Sequence, residues 1–135
     1  MTNALYAKYR QKALEGGVAW LTDNIKAILV DNADYTVNLS THEFLSDVPS
    51  GAREETSGNL ASKSSTLGVA DAADVTWAAA AGDPCESVVI YKDTGSAATS
   101  PLIAYIDTAT GLPVILNGGD VTVVWDNGSN KIFAL

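Results

Sequence analysis

From Ser87 onward the chain is a series of short apolar runs, SVVIYKD, PLIAYID, GLPVIL, DVTVVWD and KIFAL, separated by TGSAATS, TATG, NGGD and NGSN. Runs of this length, bounded by Gly, Asn and Asp, suit strands that cross a sheet once and turn back. They predict an all-β fold, an antiparallel β-sandwich of jelly-roll or immunoglobulin-like kind with one or two short helices. In DVTVVWD, Val121, Val123 and Trp125 share a face. KIFAL follows after Asn127-Gly128, a dipeptide that favours hairpin turns, so the two segments are expected to pair with each other.

The first half reads differently. Residues 4–15, ALYAKYRQKALE, are rich in helix formers, and Gly16-Gly17 supplies a stop. Ile25 to Val30 is apolar on one face and nearly so on the other, as in a central strand, with a turn at Thr22-Asp23-Asn24 before it. A loop then leads into a short extended piece holding Tyr35 and Val37. THEFLSDVPSG predicts one short helix capped by Ser40 or Thr41, with Glu43 completing a capping box and Phe44, Leu45 and Val48 facing the core. The small, polar stretch 50–74 predicts one edge strand near Asn59–Ser65 with mobile loops around it. In VTWAAA, Val75 and Trp77 share a strand face.

The length of 135 residues suits a single domain, residues 1–135, with residues 1–16 as a basic N-terminal helix or arm. A globule of this mass buries roughly two-thirds of its unfolded surface. Hydrophobic residues at 47% against 18% charged exclude a disordered chain. No apolar run is long enough to span a bilayer, and MTNALYAKYRQK lacks the apolar stretch of a signal peptide, so folding in a cytosol-like compartment is expected. A single cysteine, Cys85, precludes an internal disulfide.

Charge is unevenly placed. Residues 1–12 contain Lys8, Arg10 and Lys12 and no acid, a charge of +3, which leaves −11 on the rest of a chain whose net charge is −8. An acidic body argues against nucleic-acid binding, since phosphate contact needs clustered Lys and Arg. The basic end suits an acidic partner surface or a neighbouring copy's body.

Several constellations mimic chemistry. Asp93-Thr94-Gly95 matches the aspartic-protease tripeptide, which a chain of this size would complete only as a homodimer; Lys92 in place of an apolar residue favours a plain turn. Cys85 with His42 is a conceivable nucleophile pair without a supporting motif, and a small semi-buried thiol is the simpler reading. His42-Glu43 opens a zinc-protease motif that no second histidine completes. Asp126, Asn127, Ser129 and Asn130 offer oxygens to calcium, but lack the glycine and closing glutamate of an EF-hand and read as turn chemistry. No catalytic residue, cofactor or metal is therefore expected. Trp20, Trp77 and Trp125, with five tyrosines, would form a sugar-stacking platform if exposed, whereas the apolar alternation around Trp20 and Trp125 points to the core.

Across nearly its whole length the chain resembles small structural proteins of tailed bacteriophages and prophages. The resemblance is carried by Tyr9-Arg10 and Leu14-Glu15-Gly16, Trp20-Leu21-Thr22-Asp23-Asn24-Ile25-Lys26, Asp34-Tyr35-Thr36-Val37-Asn38, Phe44-Leu45-Ser46-Asp47-Val48-Pro49 and Ser57-Gly58-Asn59-Leu60. It is most specific from Val89-Ile90-Tyr91-Lys92-Asp93-Thr94-Gly95 through Leu102-Ile103-Ala104-Tyr105-Ile106-Asp107 and Gly111-Leu112-Pro113. It closes with Asn117-Gly118-Gly119-Asp120 and Trp125-Asp126-Asn127-Gly128. The resemblance implies a non-enzymatic virion component, a decoration or cement protein on the capsid exterior, assembled in the host cytoplasm. Its implied partners are the major capsid protein and further copies of itself as a dimer or trimer, with no membrane or nucleic acid. The residues expected to meet a partner are Lys8, Arg10, Lys12, Arg53 and Lys63. A carbohydrate-binding adhesin of the tail or fibre is the alternative, and a homodimeric aspartic protease a weaker one.

Overall fold

The computed structural model describes residues 3–126, 128 and 131–135. Its centre is a five-stranded antiparallel sheet built from β1 (Ala4–Leu5), β2 (Ile25–Val30), β3 (Arg53–Thr56), β6 (Ser87–Lys92) and β7 (Leu102–Ile106), in the order β1-β7-β6-β2-β3. Two small antiparallel ribbons accompany it: β4 (Val69–Ala70) with β9 (Phe133–Ala134), and β5 (Val75–Trp77) with β8 (Val121–Val123). One α-helix, α1 (Ala7–Glu15), precedes β2. The fold is thus mainly β, with antiparallel pairing throughout.

The sheet is built where the sequence is most continuously apolar. Every residue of β7 is buried, as is β6 from Ser87 to Tyr91 and all of β2 except Lys26. Strands apolar on both faces need cover on both faces. β2 runs against β6 from Ile25–Lys92 to Val30–Ser87, and β6 against β7 from Val88–Ile106 to Tyr91–Leu102. Ile28, Leu29, Val88, Val89, Ile90, Leu102 and Ile103 are fully buried. Each such aliphatic side chain contributes about 1.5–3 kcal/mol relative to exposure.

α1 starts three residues later than the composition suggests, because Ala4 and Leu5 pair with Tyr105 and Ala104 as an edge strand. Tyr6 takes an extended backbone at the junction and buries its ring, while Gly16 closes the helix in the left-handed region at φ 77°. Glycine has no Cβ to clash there. The Gly17 N–H then donates to the Lys12 carbonyl at 2.8 Å. Residues 3–16 therefore dock largely as strand and helix, with Tyr6 and Tyr9 in the core.

Several expectations change. The segment 41–51 is not one helix but two 3-10 turns, Leu45–Asp47 and Ser50–Ala52. Tertiary pairing overrides the local preference: Leu45 and Ser46 N–H donate to the Ser100 and Ala97 carbonyls, and Leu102 N–H donates to Glu43. The N–H groups of Glu43 and Phe44 are capped by Asp47 Oδ2 at 2.8 and 3.0 Å, rather than by Ser40 or Thr41. Leu45 and Val48 do face the core, with Phe44 half-buried. The piece around Tyr35 and Val37 forms no strand, although Tyr35 is buried.

The edge strand of the polar stretch is β3, not residues 59–65. Its sequence REET reads as loop, yet an edge strand with one wet side accepts charge readily. Beyond it the chain stays tied to β2, with Ser57 N–H on the Ala27 carbonyl and Leu60 N–H on the Ile25 carbonyl. Two indoles anchor the rest: Trp125 Nε1 donates to the Ala73 carbonyl at 3.0 Å and Trp20 Nε1 to that of Asp71 at 3.4 Å. In place of loops free to reach outward, residues 57–74 are pinned at both ends.

GLPVIL forms no strand; its Val114 makes a single bridge to Cys85 through two 2.8 Å backbone hydrogen bonds. Among the described residues, DVTVVWD and KIFAL do not pair with each other as the expected C-terminal hairpin. β8 pairs with β5, setting Val121 and Val123 opposite Trp77 and Val75, while β9 pairs with β4. Matching burial explains the choice: both β5 and β8 alternate in, out, in, and their outward residues Thr76 and Thr122 share a 2.8 Å hydrogen bond. Asn127, Ser129 and Asn130, on which the hairpin turn and the calcium loop rested, lie outside the described residues.

Candidate interaction surface

The five cations expected to meet a partner separate into free and occupied groups. Lys12 pairs with Glu43 at 3.4 Å and sits 5.1 Å from the centre of the Phe44 ring. Arg53 Nε donates to the Val48 carbonyl at 3.0 Å, and Lys63 Nζ to that of Asp23 at 2.5 Å. These three hold the chain to itself. Lys8 and Arg10 make no ion pair or side-chain hydrogen bond among the described residues, and Arg10 is exposed on α1. Lys131, outside the expected set, is free in the same sense. Lys26 and Lys92 pair with Asp93 at 2.8 Å and Asp23 at 3.1 Å.

The catalytic lookalikes are occupied structurally. Asp93 accepts from Lys26 and, through Oδ1, from the Gly95 N–H at 2.9 Å. The Lys26 ammonium first, then that backbone hydrogen bond, hold its carboxyl below the usual range. Thr94, Ser96, Thr99 and Ser100 complete the turn by bonding one another. Cys85 is fully buried, and burial, reinforced by Glu54, Glu86, Asp31 and Asp83, pushes its thiol up to about 12. A thiol so protonated is a poor nucleophile at neutral pH. Its Sγ is 3.5 Å from the Asp83 carbonyl.

His42 belongs to another cluster. Its Nδ1 lies 2.9 Å from Tyr35 Oη, which in turn lies 2.9 Å from Tyr6 Oη, and its ring stacks on Tyr35. Burial pushes the Tyr35 hydroxyl up to about 12 and that of Tyr6 further in the same direction. These phenols remain neutral, joining α1 to the loop at residues 35–42.

All three tryptophans and all five tyrosines are buried, none more than 8% exposed. The stacking platform an adhesin would need is therefore not built from these rings. Tyr9 and Trp20 meet Phe133 edge-on, with centroids 5.8 and 5.3 Å apart, which welds α1, the turn before β2 and β9 together.

Two groupings had no signature in the sequence. Asn32 sits at the end of β2, with Nδ2 2.6 Å from Tyr105 Oη, Oδ1 accepting from Ser87 Oγ at 2.6 Å, and its N–H on Glu86 Oε1. Beside it, Asp31, Asp34 and Asp83 bring carboxylate oxygens within 4.8 Å of one another. One Asp31 oxygen is taken by the Ala33 N–H at 2.9 Å. Asp31 and Asp34 come from one loop and Asp83 from another, so only the fold assembles them.

Grooves lie away from His42, Cys85 and Asp93, one of about 410 Å³ among Asn3, Thr108, Thr110 and Val124, and two more near the chain ends. One of about 340 Å³ runs between β1 and β9, walled by Leu5, Ile106 and Phe133 and rimmed by Arg10, Lys131 and Asp126. A second of about 270 Å³ adjoins it, walled by Leu5, Arg10, Leu14, Ala134 and Leu135. Leu14 and Leu135 are 89% and 66% exposed. The residue missed by sequence reading is Leu14: it closes the i, i+3, i+4, i+7 outer stripe Ala7, Arg10, Gln11, Leu14 of α1, all exposed. No protein-family model and no curated protein matches this chain.

Proposed function

We propose that this protein is a structural component of a tailed-phage particle, a decoration protein that binds the outside of the major capsid shell and stabilises it, with no catalytic role. The observation that carries this reading is the division of labour among side chains. The aromatic rings and the lookalike groups at His42, Cys85 and Asp93 are occupied in holding the fold, whereas Arg10 and Leu14 stand outward from one helix on an acidic body, with half-buried Lys8 on the same helix. Such a molecule acts by contact.

The finer architecture belongs to the same reading: the five-stranded sheet with its accompanying ribbons forms a sandwich of jelly-roll or immunoglobulin-like kind. A cement protein of this type works as a dimer or trimer. Each copy's grip on the shell is modest, and simultaneous engagement by linked copies multiplies it. Free cations on the helix steer the approach to acidic capsid surface, so attachment weakens as salt rises.

The test is co-sedimentation of purified protein with shells assembled from the particle's major capsid protein, followed by electron microscopy of the intact particle. Saturable pelleting, and density for this chain on the outer shell, is the expected result. Density on tails alone, or no pelleting at low and high salt, overturns it.

A further inference from the structure

We propose that the open edge of β1 is a strand-addition site, which takes an extended peptide segment of a partner bearing an apolar residue with a carboxylate two positions away on either side. The inference goes beyond the decoration reading and makes no use of the shell.

Register fixes what the edge offers. Tyr6 N–H donates to the Ile103 carbonyl at 3.1 Å, and Ala4 and Leu5 lie opposite Tyr105 and Ala104. Hydrogen-bonded and non-hydrogen-bonded pairs alternate along an antiparallel ladder, so Leu5 is of the second kind and its N–H and carbonyl point away from β7. Neither group has a partner among the described residues. Leu5 is 8% exposed and lines the groove of about 340 Å³ with Ala104, Ile106 and Phe133. Unpaired main-chain groups in so sheltered a place call for a partner. The same alternation holds on β9: Leu135 N–H donates to the Gly68 carbonyl, which turns the N–H and carbonyl of Ala134 away from β4. Ala134 lines the same groove, so open main chain borders it on two strands.

The occupant follows from these groups. An extended backbone presents the N–H and carbonyl of one residue side by side, and the residue set opposite Leu5 exchanges both hydrogen bonds with it. Its side chain then points to the same face as that of Leu5, toward Ile106 and Phe133, and must be apolar. The residues two positions away share that face, about 7 Å along the strand. They come to the rim, where Arg10 and Lys131 have no ion partner among the described residues. Charge complementarity therefore calls for carboxylates there. Asp126 on the same rim keeps their number to one or two, so a run of acids does not fit. The opposite edge of the sheet, β3, carries Glu54 and Glu55 and repels such a segment.

The experiment titrates the isotope-labelled full chain, without shell, with the end-capped peptide Glu-Thr-Val-Thr-Glu and follows the amide resonances by NMR. Saturable shifts at Leu5 and Ala134, and none at β3, are expected. The same peptide with an N-methylated valine lacks the donor to the Leu5 carbonyl and should bind about tenfold or more weakly, as should Lys-Thr-Val-Thr-Lys. Replacing both rim cations, Arg10→Glu with Lys131→Glu, should reverse the preference between the acidic and basic peptides. Arg10→Glu alone, at an exposed helix position, should weaken the acidic peptide even if the double variant fails to fold. No saturation at millimolar peptide, equal binding of the N-methylated peptide, indifference to the sign of peptide charge, or shifts centred on β3 overturns the proposal. A dimer of the lone chain joined through the β1 edge overturns it as well. Shell co-sedimentation is read separately, so failure of strand addition and failure of the decoration reading are distinguishable.

Discussion

The five-stranded sheet and the C-terminal part of the chain, residues 108–135, are both assembled from strands, but they are held by different means. In the sheet, β2, β6 and β7 carry five or six residues each, nearly all buried, and pair along their full length. In the C-terminal region, β8 and β9 carry three and two residues, and the connecting backbone is fastened one bond at a time. Asp74 Oδ1 accepts from the Trp125 N–H at 3.0 Å, Val124 N–H donates to the Thr110 carbonyl, and Asp120 Oδ1 accepts from the Ala79 N–H at 3.0 Å. Apolar burial builds the first region. Directional hydrogen bonds from acids and turns, closing over a smaller apolar contact, build the second.

The largest effect is expected in the sheet. Ile90 is fully buried and lies between β2 and β7. Ile90→Ala should cost about 2–5 kcal/mol, read as a lowered urea midpoint at unchanged slope. A loss below about 1 kcal/mol would break the contrast by showing that the sheet does not dominate stability.

Backbone geometry gives the next test. Gly111 has φ +107°, and a Cβ there would stand 2.6 Å from the Thr122 carbonyl oxygen of β8. Gly111→Ala should cost about 1–3 kcal/mol, with amide exchange accelerating around β8 before it does in β6. Uniform acceleration through both regions would mean that they open as one unit.

A smaller loss is expected at Asp74. Asp74→Ala leaves the Trp125 N–H without its acceptor and should cost about 1–2 kcal/mol. Trp125 is 4% exposed, so loosening of the backbone just after β8 should appear as a red shift in tryptophan emission. An unshifted spectrum and unchanged midpoint would remove this acid from the fastenings.

The smallest effect concerns the β6–β7 turn. The Asp93 carboxyl is held below its ordinary value, by Lys26 first and the Gly95 N–H second. A carboxylate depressed on folding stabilises the native state fully above its unfolded value, and that contribution is lost as pH falls through the folded value. Asp93→Asn should therefore cost at most about 1 kcal/mol at neutral pH and flatten the acid limb of the stability profile. An acid limb identical to the wild type would place the stabilisation elsewhere, with Asp23 and Asp47, whose carboxyls are likewise depressed, the next to replace.

The same contrast marks what was legible from residues alone. Strands β2, β6 and β7 announce themselves because continuous apolar runs leave the backbone one economical way to be buried and hydrogen-bonded. The stop at Gly16 is equally local. β3 was misplaced because Arg53, Glu54 and Glu55 look like loop and are strand only by virtue of lying beside β2. The short helix at 41–51 failed because its N–H groups found the Ser100 and Ala97 carbonyls, partners that no local pattern encodes. Among the candidate cations, the sequence did not show which members of the set were free. Lys12, Arg53 and Lys63 are occupied by a carboxylate and two carbonyls brought close only by folding.

Local pattern determined the strand-rich class, the N-terminal helix, the burial of Trp20 and Trp125, and the separation of a basic beginning from an acidic body. Each follows from neighbouring residues, through apolar period, turn chemistry or charge. Tertiary structure alone decided that β8 turns to β5 and β9 to β4, that three carboxylates converge beside Asn32, and that Leu14 is left facing solvent. Those outcomes depend on which distant surfaces match in shape and burial, a competition settled only when the whole chain has closed around its core.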